Sequence, residues 1–262
     1  MVKRAMTSQK ASYVKRQGHK DALEFALLLG LKKDYQNDPK AKKDVIDNSG
    51  YSYSVKSGQK KWQIFLYSLS RFKNDILFQS LNGLGDLFIN CINVFPENIK
   101  EYKNNKPFYK KKLAQEMVKI KEYLLTPKKL KGFLSLSFFN GNEVDFLVIK
   151  NNNIFHIFDA KEVVEILSKE ILVDTSKKRR EGEFDDQKVV FKVFQTNRQV
   201  TIGEIEMRND SEVHYREVKF WISKPICYKL LIDNIPNKKE CDNKICIFGK
   251  AIKKFLKRKN IN

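Results

Sequence analysis

The sequence predicts a mixed α/β (α+β) protein in which a sheet is flanked by helices and the C-terminal part is rich in strands. A helix is predicted first, then a β-hairpin, then several helices, and finally segments in which apolar and polar residues alternate. The chain has 262 residues, of which 42% are hydrophobic and 12% aromatic. That composition supports a globular core and excludes an intrinsically disordered chain.

The first elements follow from short local patterns. Residues 1–17 are basic and polar, and we expect them to form a loose arm. Apolar residues at helical spacing, including Leu23 and Leu27, predict a helix that begins at Gly18. The strings DVID and YSYSVK then predict two strands, joined by a turn at Asn48-Ser49-Gly50.

Helices dominate the middle of the chain, and strands dominate its later part. The string WQIFLYSLSRF is compatible with a strand or a helix, whereas KKLAQEMVKIKEYLL predicts an amphipathic helix that ends at Pro127. VDFLVIK and IFHIF predict a hairpin, which a helix follows. KVVFKVF, QVTIGEIEM and VHYREVKFWI predict an antiparallel meander, and the tail AIKKFLKRKN predicts a basic helix.

We predict three parts along the chain: a basic arm at 1–17, a candidate core at 18–95, and a helical connector with a β-rich recognition part at 96–262. Pro96 and Pro107 bracket a stretch rich in Lys and Asn, which is typical of a connector. A single domain is the alternative, because no sharp signal marks the boundary.

The charge of the chain indicates a polyanionic partner. Lys and Arg number 51 against 31 Asp and Glu, which gives a net charge of +20. Nucleic acid and an anionic membrane surface are the partners that such a charge favours. The sequence has no long basic amphipathic helix with a broad apolar face, and no apolar run reaches the roughly 20 residues of a membrane span. We therefore expect binding to nucleic acid and no association with a membrane.

The cysteines and the N-terminal sequence predict a cytoplasmic location. Cys91, Cys227, Cys241 and Cys246 follow no zinc-binding spacing, since no CxxC pair occurs. The start MVKRAMTSQK is basic, but no apolar stretch follows it, so it does not resemble a secretory signal. Reduced thiols are the expected state of the four cysteines.

Four residues in the first quarter of the chain form a candidate catalytic group. Asp44 opens the first predicted strand, and the tight turn returns the chain so that Asp44 can lie beside Ser54 and Lys56. Ser54 and Lys56 share one face because side chains alternate along a strand. Glu24 lies on the preceding helix, which we expect to pack against the same sheet. Carboxylates suit Mg²⁺, and a lysine suits a phosphate and an attacking water.

These segments resemble the core of the PD-(D/E)xK nucleases, and bacterial type II restriction endonucleases in particular. The matching strings are GHKDALEFALLLG, DVID and SVKSG, within roughly residues 18–70. The resemblance implies a restriction-endonuclease-like core, Mg²⁺ held by Glu24 and Asp44, and Lys56 beside the scissile phosphate. Ser54 stands where an acid is usual, so Glu24 would have to contribute more. DNA contacts are expected just after this site, at Lys60, Lys61 and Gln63.

A second hairpin carries a competing pattern. Asp145 opens VDFLVIK, and the returning strand ends in Asp159-Ala160-Lys161, so this hairpin also fits a D…DxK pattern. The structural interpretation is favoured here, because Asp159 directly precedes a predicted helix and is a natural N-cap. Lys161 would then lie in the first turn of that helix.

Arginine is scarce, so the positions of the arginines in the predicted meander are informative. Arg binds guanine in a bidentate manner, Asn binds adenine likewise, and a two-stranded ribbon fits the major groove. The alternative is an ion-pair ladder of Glu204 and Glu206 with arginines on a solvated sheet face. The residues expected to read DNA are Arg198, Arg208, Asn209, His214, Tyr215 and Arg216. Lys-rich stretches such as 110–112, 128–129, 177–180 and 253–259 would hold phosphates.

The leading functional prediction is an Mg²⁺-dependent type II restriction endonuclease that cuts double-stranded DNA. The activity implies a homodimer, because palindromic sites favour two-fold proteins, and a cognate DNA methyltransferase in the same system. One alternative is a basic nucleic-acid-binding protein without catalytic activity. Another is a repair or junction nuclease of the same superfamily.

Overall fold

The structure, a computed structural model, describes residues 8–209, 212–242 and 244–259. In these ranges the helices are α1 (Ser8–Leu28), α2 (Leu69–Asn74), α3 (Ile76–Gln79), α4 (Leu84–Asn93), α5 (Ile99–Asn104), α6 (Lys106–Leu124), α7 (Pro127–Phe139), α8 (Ala160–Glu170), α9 (Lys224–Asn234) and α10 (Ala251–Lys259). The strands are β1 (Gln36–Asp38), β2 (Lys43–Ile46), β3 (Ser52–Lys56), β4 (Lys61–Tyr67), β5 (Phe146–Asn151), β6 (Ile154–Asp159), β7 (Leu172–Thr175), β8 (Lys188–Gln195), β9 (Arg198–Arg208), β10 (Glu217–Ser223), β11 (Lys238–Asp242) and β12 (Ile245–Phe248).

The chain forms two units, and segments of the two units alternate along the sequence. The first unit contains the described residues up to Lys60, then Asn142–Val163, then those from Tyr228 onward. The second unit contains Lys61–Gly141 and Val164–Cys227. The predicted α+β class is confirmed, because one unit has a mixed sheet and the other an antiparallel sheet, and helices accompany both.

The first unit is organised around a seven-stranded sheet in the order β1-β2-β3-β5-β6-β12-β11. β3 runs parallel to β5, and β6 runs parallel to β12, whereas the other neighbours are antiparallel. The hairpins β2–β3 and β5–β6 are the two that the sequence predicts.

Helices α1 and α10 cover one face of this sheet. Phe25 of α1 is fully buried, and its ring lies 5.3 Å from the ring of Tyr53 on β3 and 5.3 Å from that of Phe155 on β6. Ala251 and Phe255 of α10 belong to the same buried cluster. The strand residues in the cluster are every second one, as expected for a sheet face that packs on helices.

The turn between β2 and β3 is stabilised by one aspartate. The Asp47 carboxylate accepts hydrogen bonds from Ser49 N at 2.9 Å and Tyr51 N at 3.0 Å, and from the Tyr53 hydroxyl at 2.7 Å. Gly50 has φ +80°, a conformation that costs other residues a steric penalty. The NSG sequence therefore identifies this turn because its glycine can adopt the positive φ that the turn requires.

The second unit contains a five-stranded antiparallel sheet in the order β4-β10-β9-β8-β7. β8, β9 and β10 form the predicted meander. The core of this unit is largely aromatic: the Phe65 ring lies 6.2 Å from Phe88, 6.5 Å from Phe133 and 5.7 Å from Phe220. None of the described helices of either unit has the length and hydropathy of a membrane span.

Two predictions about the chain's organisation differ from the structure. The loose arm is wrong for residues 8–17, because α1 begins at Ser8, while residues 1–7 lie outside the described residues. This first part of α1 has good helix formers such as Lys and Gln but lacks an apolar stripe, so periodicity does not reveal it. The division at 18–95 and 96–262 also differs, since each unit is built from separated segments.

The ring contacts of Phe25 predict a large effect of truncation. We expect Phe25→Ala to lower the free energy of unfolding by about 3–5 kcal/mol, because the change leaves a cavity between α1 and the sheet. Leu27→Ala, one position beyond Ala26 on the exposed side of α1, should cost less than about 1 kcal/mol. Urea titration of both variants measures this, and equal losses would contradict the packing of α1.

Candidate active site

Asp44, Ser54 and Lys56 come together on the β2–β3 hairpin. Asp44 Oδ2 accepts a hydrogen bond from Val55 N at 2.7 Å and one from Ser54 Oγ at 3.4 Å, and it lies 3.9 Å from Lys56 Nζ. All three contacts fall on one carboxylate oxygen. The charge of Asp44 also faces Tyr35, where it adds to burial in raising the pKa of that phenol. The arrangement stabilises the hairpin and offers a single carboxylate.

Glu24, the second predicted Mg²⁺ ligand, lies on the other face of the sheet. Its Oε2 is 2.6 Å from Lys150 Nζ, and its Oε1 is 3.3 Å from Lys244 Nζ. Lys150 is two residues after Val148 on β5, so it shares the sheet face that packs under α1. Ser54 directly follows Tyr53 of the same core, so its side chain points to the opposite face, away from α1. The predicted group of Glu24 with Asp44 and Lys56 therefore does not assemble.

Glu24 instead belongs to an ion-pair cluster that ties α1 to β5. Lys150 Nζ also lies 2.8 Å from Asp21 Oδ1, and Asp21 is buried. The hydrogen bond from Lys150 is the main cause that lowers the pKa of Glu24, and it outweighs the desolvation that would raise it. Burial would lower the pKa of Lys150, but the hydrogen bonds and charges of Asp21 and Glu24 outweigh it and raise the pKa above its ordinary value.

The competing hairpin brings two carboxylate residues to one edge of the same sheet. β5 begins beside the point where β6 ends: Phe146 pairs with Asp159, and Ala160 N donates to Asp145 O at 2.9 Å. Asp145 Oδ2 accepts hydrogen bonds from Ser52 N and Ser52 Oγ, both at 3.0 Å. No group in the described parts of the chain bonds to Asp145 Oδ1, so this oxygen can still take a ligand.

Asp159 has two structural contacts. Its Oδ1 accepts a hydrogen bond from Glu162 N at 3.0 Å, so it is the predicted N-cap of α8. Its Oδ2 lies 2.5 Å from Lys254 Nζ of α10, although the geometry is not that of a regular hydrogen bond. We treat this contact as an ion pair, since opposite charges at that distance attract whatever the angle. Lys161 lies in the first turn of α8 and is exposed.

Sequence reasoning missed Lys254 as part of this site. From the sequence, Lys254 is expected only as one of the tail lysines that would hold phosphates. Phe255, its neighbour, packs under the sheet, and this places α10 so that Lys254 reaches the end of β6. No local signal connects Lys254 with Asp159, because the pairing depends on the parallel contact of β6 with β12.

The donor set at this edge suits Mg²⁺ in its chemistry. Mg²⁺ often uses one or two carboxylates and keeps several waters. Asp159 pairs with Phe146 and so shares the face that α10 covers, whereas Asp145 directly precedes Phe146 and bonds to Ser52 on the opposite face. An ion bound by both Asp145 Oδ1 and Asp159 Oδ2 would therefore lie beyond the strand ends, and Lys254 Nζ would have to move away from Asp159 Oδ2. Over the described ranges, however, no group of three or more His, Cys, Asp or Glu residues comes close enough together to hold a metal.

Most of the residues predicted to read DNA near the β9–β10 connection are buried or contact other residues of the second unit. Asn209 is buried, and the Tyr215 hydroxyl donates to Pro96 O at 2.8 Å. Arg216 has φ +62°, and its Nη1 lies 3.6 Å from a carboxylate oxygen of Glu97. His214 Nδ1 lies 2.8 Å from Glu217 Oε2.

Arg198 and Arg208 stand at opposite ends of β9. The strand runs from Arg198 to Arg208, so the two residues are roughly 33 Å apart at about 3.3 Å per residue. Their proximity in sequence suggested one cluster, but at this distance the two arginines cannot form one. The predicted ion-pair ladder is present in another form, since lysines supply its cations: Lys188 Nζ contacts Glu204 and Glu206 at 2.9 and 3.0 Å, and Lys219 Nζ contacts Glu206 at 3.2 Å.

The three residues predicted to contact DNA after Lys56 are divided between the units. Lys60 ends the first segment of the first unit, whereas Lys61 and Gln63 lie on the edge strand β4 of the second unit. All three are exposed, and Lys61 Nζ lies 3.1 Å from the centroid of the Trp221 ring.

A histidine and a tyrosine line a separate pocket of the first unit. His156 Nδ1 lies 2.7 Å from the Tyr228 hydroxyl, and the His156 ring stacks on Phe248 at 5.6 Å. The pocket has a volume of about 680 Å³. Burial raises the pKa of Tyr228, so its hydroxyl stays protonated at neutral pH and is not an activated nucleophile. His156 is a hydrogen-bonded residue of the sheet.

Comparison with known proteins adds no assignment to this geometry. No protein-family model, no curated protein and no solved structure matches the chain. The function is therefore inferred from the site residues and their chemistry.

The lowered pKa of Glu24 predicts a pH-dependent contribution to stability. Ionised Glu24 stabilises the folded state above its ordinary pKa of 4.5, and this contribution is lost as the pH falls through the lower folded-state pKa. We expect Glu24→Gln to be less stable than the wild type at neutral pH, with a difference that narrows below pH 4.5. Urea titrations across this range measure it. Glu122→Gln on the exposed face of α6 is the control, and a difference that stays constant would argue against the Lys150 contact.

Proposed function

We propose that the chain is an Mg²⁺-dependent endonuclease that cuts double-stranded DNA at specific sequences, as type II restriction enzymes do. Its active site would lie at the sheet edge where β5 begins and β6 ends. One observation carries this assignment: the antiparallel pairing of β5 with β6 brings Asp145 and Asp159 to one edge, with Lys254 on Asp159. The Asp44 hairpin contributes one carboxylate, whereas Glu24 is held on α1 by Lys150 and Lys244.

The charge of the chain supports a nucleic-acid substrate. A net charge of +20 attracts a polyanion at long range and favours phosphate contacts over most other partners. DNA hydrolysis at a carboxylate edge needs such attraction, because the carboxylates themselves repel phosphate. Lys254 and Lys161 are the cations of the chain next to Asp159.

Each residue of the proposed site has a role that follows from its contacts. Bound Mg²⁺ would stabilise charge on the phosphate and lower the pKa of a water. Ser52 holds the Asp145 carboxylate through two hydrogen bonds, so the carboxylate is oriented before any ligand binds. The N-terminus of α8 holds Asp159 Oδ1 in the same way. Lys254, once released from Asp159 Oδ2, can pair with a phosphate oxygen at this edge.

The proposed activity carries the remaining assignments with it. A homodimer would match two-fold DNA sites, and a cognate DNA methyltransferase would protect the host genome. Both partners, like the cytoplasmic location, are consequences of the proposed function.

A second candidate is a nucleic-acid-binding protein without catalytic activity. It is favoured by the donor set at the β5–β6 edge, where Asp145 and Asp159 lie on opposite faces of the sheet and Asp159 is already paired with Lys254. In this case Asp145 and Asp159 would serve only to hold β3 and α8.

The proposal predicts that Asp145→Asn abolishes cutting. The asparagine can still accept the hydrogen bonds from Ser52, but it removes the charge that Mg²⁺ needs, so the rate should fall about 100-fold or more. The assay is incubation of the purified protein with unmethylated phage DNA, with Mg²⁺ and with EDTA. Discrete fragments only with Mg²⁺ are expected for the wild type. Uncut DNA that the wild-type protein still binds would support the second candidate.

Matched variants distinguish the two hairpins. Asp44→Asn and Lys56→Ala should cut at close to the wild-type rate, because they alter the β2–β3 hairpin alone. Lys161→Ala and Lys254→Ala test the two lysines beside Asp159, and at least one of them should cut much more slowly. Normal cutting by Asp145→Asn together with loss of cutting by Lys56→Ala would return the active site to Asp44.

A further inference from the structure

The hairpin formed by β8 and β9 extends beyond the strands on both sides of it. β7 pairs with β8 only from Val189 to Lys192, and β10 pairs with β9 only from Gly203 to Arg208. Residues 193–200 therefore pair only with one another, and we call them the distal hairpin. Its turn is at Thr196 and Asn197, which both have positive φ as a two-residue type I′ turn requires. Val193 at the base of the distal hairpin is buried, whereas residues 194–199 form an exposed or half-exposed tip that no other described strand flanks.

The side chains of the distal hairpin are of types that can contact base edges. Phe194 is 61% exposed, which is unusual for a phenylalanine on a structured strand. From Gln187 through Gly203 the sequence contains no Asp or Glu, although the chain around it is rich in acids. The exposed or half-exposed polar side chains at the tip are Gln195, Thr196, Asn197, Arg198 and Gln199.

A basic pocket adjoins the base of the distal hairpin. The pocket has a volume of about 500 Å³ and is lined by six cations and two acids: Lys106, Lys110, Lys177, Arg179, Lys188 and Lys192 against Glu183 and Glu204. Lys192 pairs with Thr201, and Phe194 pairs with Gln199, so alternation puts all four on one face of the ribbon. The surface of the tip is thus continuous with the basic pocket.

Part of this positive charge is not neutralised by the protein. Lys188 and Lys192 have carboxylate partners, at 2.9 Å in Glu204 and 2.6 Å in Asp174. By contrast, no carboxylate in the part of the chain that the structure describes pairs with the guanidinium of Arg179 or with Lys106 Nζ. These two cations are available to phosphates.

We propose that the distal hairpin enters the major groove of duplex DNA and reads its sequence, while the basic pocket holds the flanking phosphates. This inference rests on the proposed action on DNA. The major groove is about 12 Å wide and admits a two-stranded ribbon. Phe194 suits the methyl group of thymine and Gln199 suits adenine on one face of the ribbon. Arg198, which suits guanine, and Gln195 lie on the other face beside the turn, so the tip would enter the groove end-on. The same ribbon cannot enter the deep and narrow major groove of A-form RNA.

The test is a selection of DNA sequences by the full-length protein, carried out in EDTA so that Mg²⁺-dependent cutting cannot interfere. Duplexes with a randomised centre are the probe, and the selected duplex is then compared with a scrambled one by fluorescence anisotropy. We expect the wild type to enrich one sequence. Arg198→Ala and Phe194→Ala should each lower the preference for that sequence about tenfold or more.

A double variant with Lys106→Gln and Arg179→Gln tests the phosphate contacts separately. It should weaken binding to both duplexes equally and lower the slope of log affinity against log salt by about one per lost contact. Lys100→Gln, which changes an exposed lysine on α5, is the matched control. It should leave the sequence preference unchanged and should lower the affinity and the salt slope less than the double variant does.

Three results would overturn the inference. They are binding without any enriched sequence, an unchanged preference in Arg198→Ala, and equal affinity for duplex RNA. A change in sedimentation mass in Phe194→Ala, with DNA binding intact, would instead assign the hairpin to contact with a second copy of the chain. The cleavage assay of Asp145→Asn does not depend on these binding measurements. The proposal for the distal hairpin and the proposal for the nuclease site can therefore be refuted separately.

Discussion

The backbone contacts of Asp145 are the constraint on which the first unit depends. Asp145 N donates to Ser52 O at 3.0 Å, and Asp145 O accepts from Ala160 N at 2.9 Å, so this residue joins the start of β3 to the end of β6. Its carboxylate repeats the link to Ser52. The same contacts set the register of β5 between its two neighbours, and they bring Asp159 and the N-terminus of α8 to the edge where the proposed chemistry takes place.

The elements that the sequence predicts correctly are those with local signals. The NSG turn identifies β2–β3, and the hydrophobic alternation identifies β5, β6 and the meander, because both signals act within a few residues. The position of Asp159 before a helical pattern likewise predicts its capping contact. Such signals determine which side chains share a strand face, and on that basis Asp44, Ser54 and Lys56 are expected together.

The features that the sequence does not predict depend on distant contacts. Glu24 lies on a helix whose buried face carries Phe25 and Ala26 and leaves Leu27 exposed, and nothing local tells which side of the sheet the helix covers. Lys254 reaches Asp159 only because β12 aligns parallel to β6. The division into units is equally non-local, since the second unit is formed by two segments placed between strands of the first.

The alternation of the two units has a consequence for synthesis of the protein. β6 is translated long before β12, its parallel neighbour, and the chain between them includes much of the second unit. A nascent chain therefore carries an unpaired strand edge for a time set by the speed of translation, and such edges promote intermolecular pairing. The late, long-range closure of this sheet also raises the contact order, which slows folding relative to a chain with contiguous units.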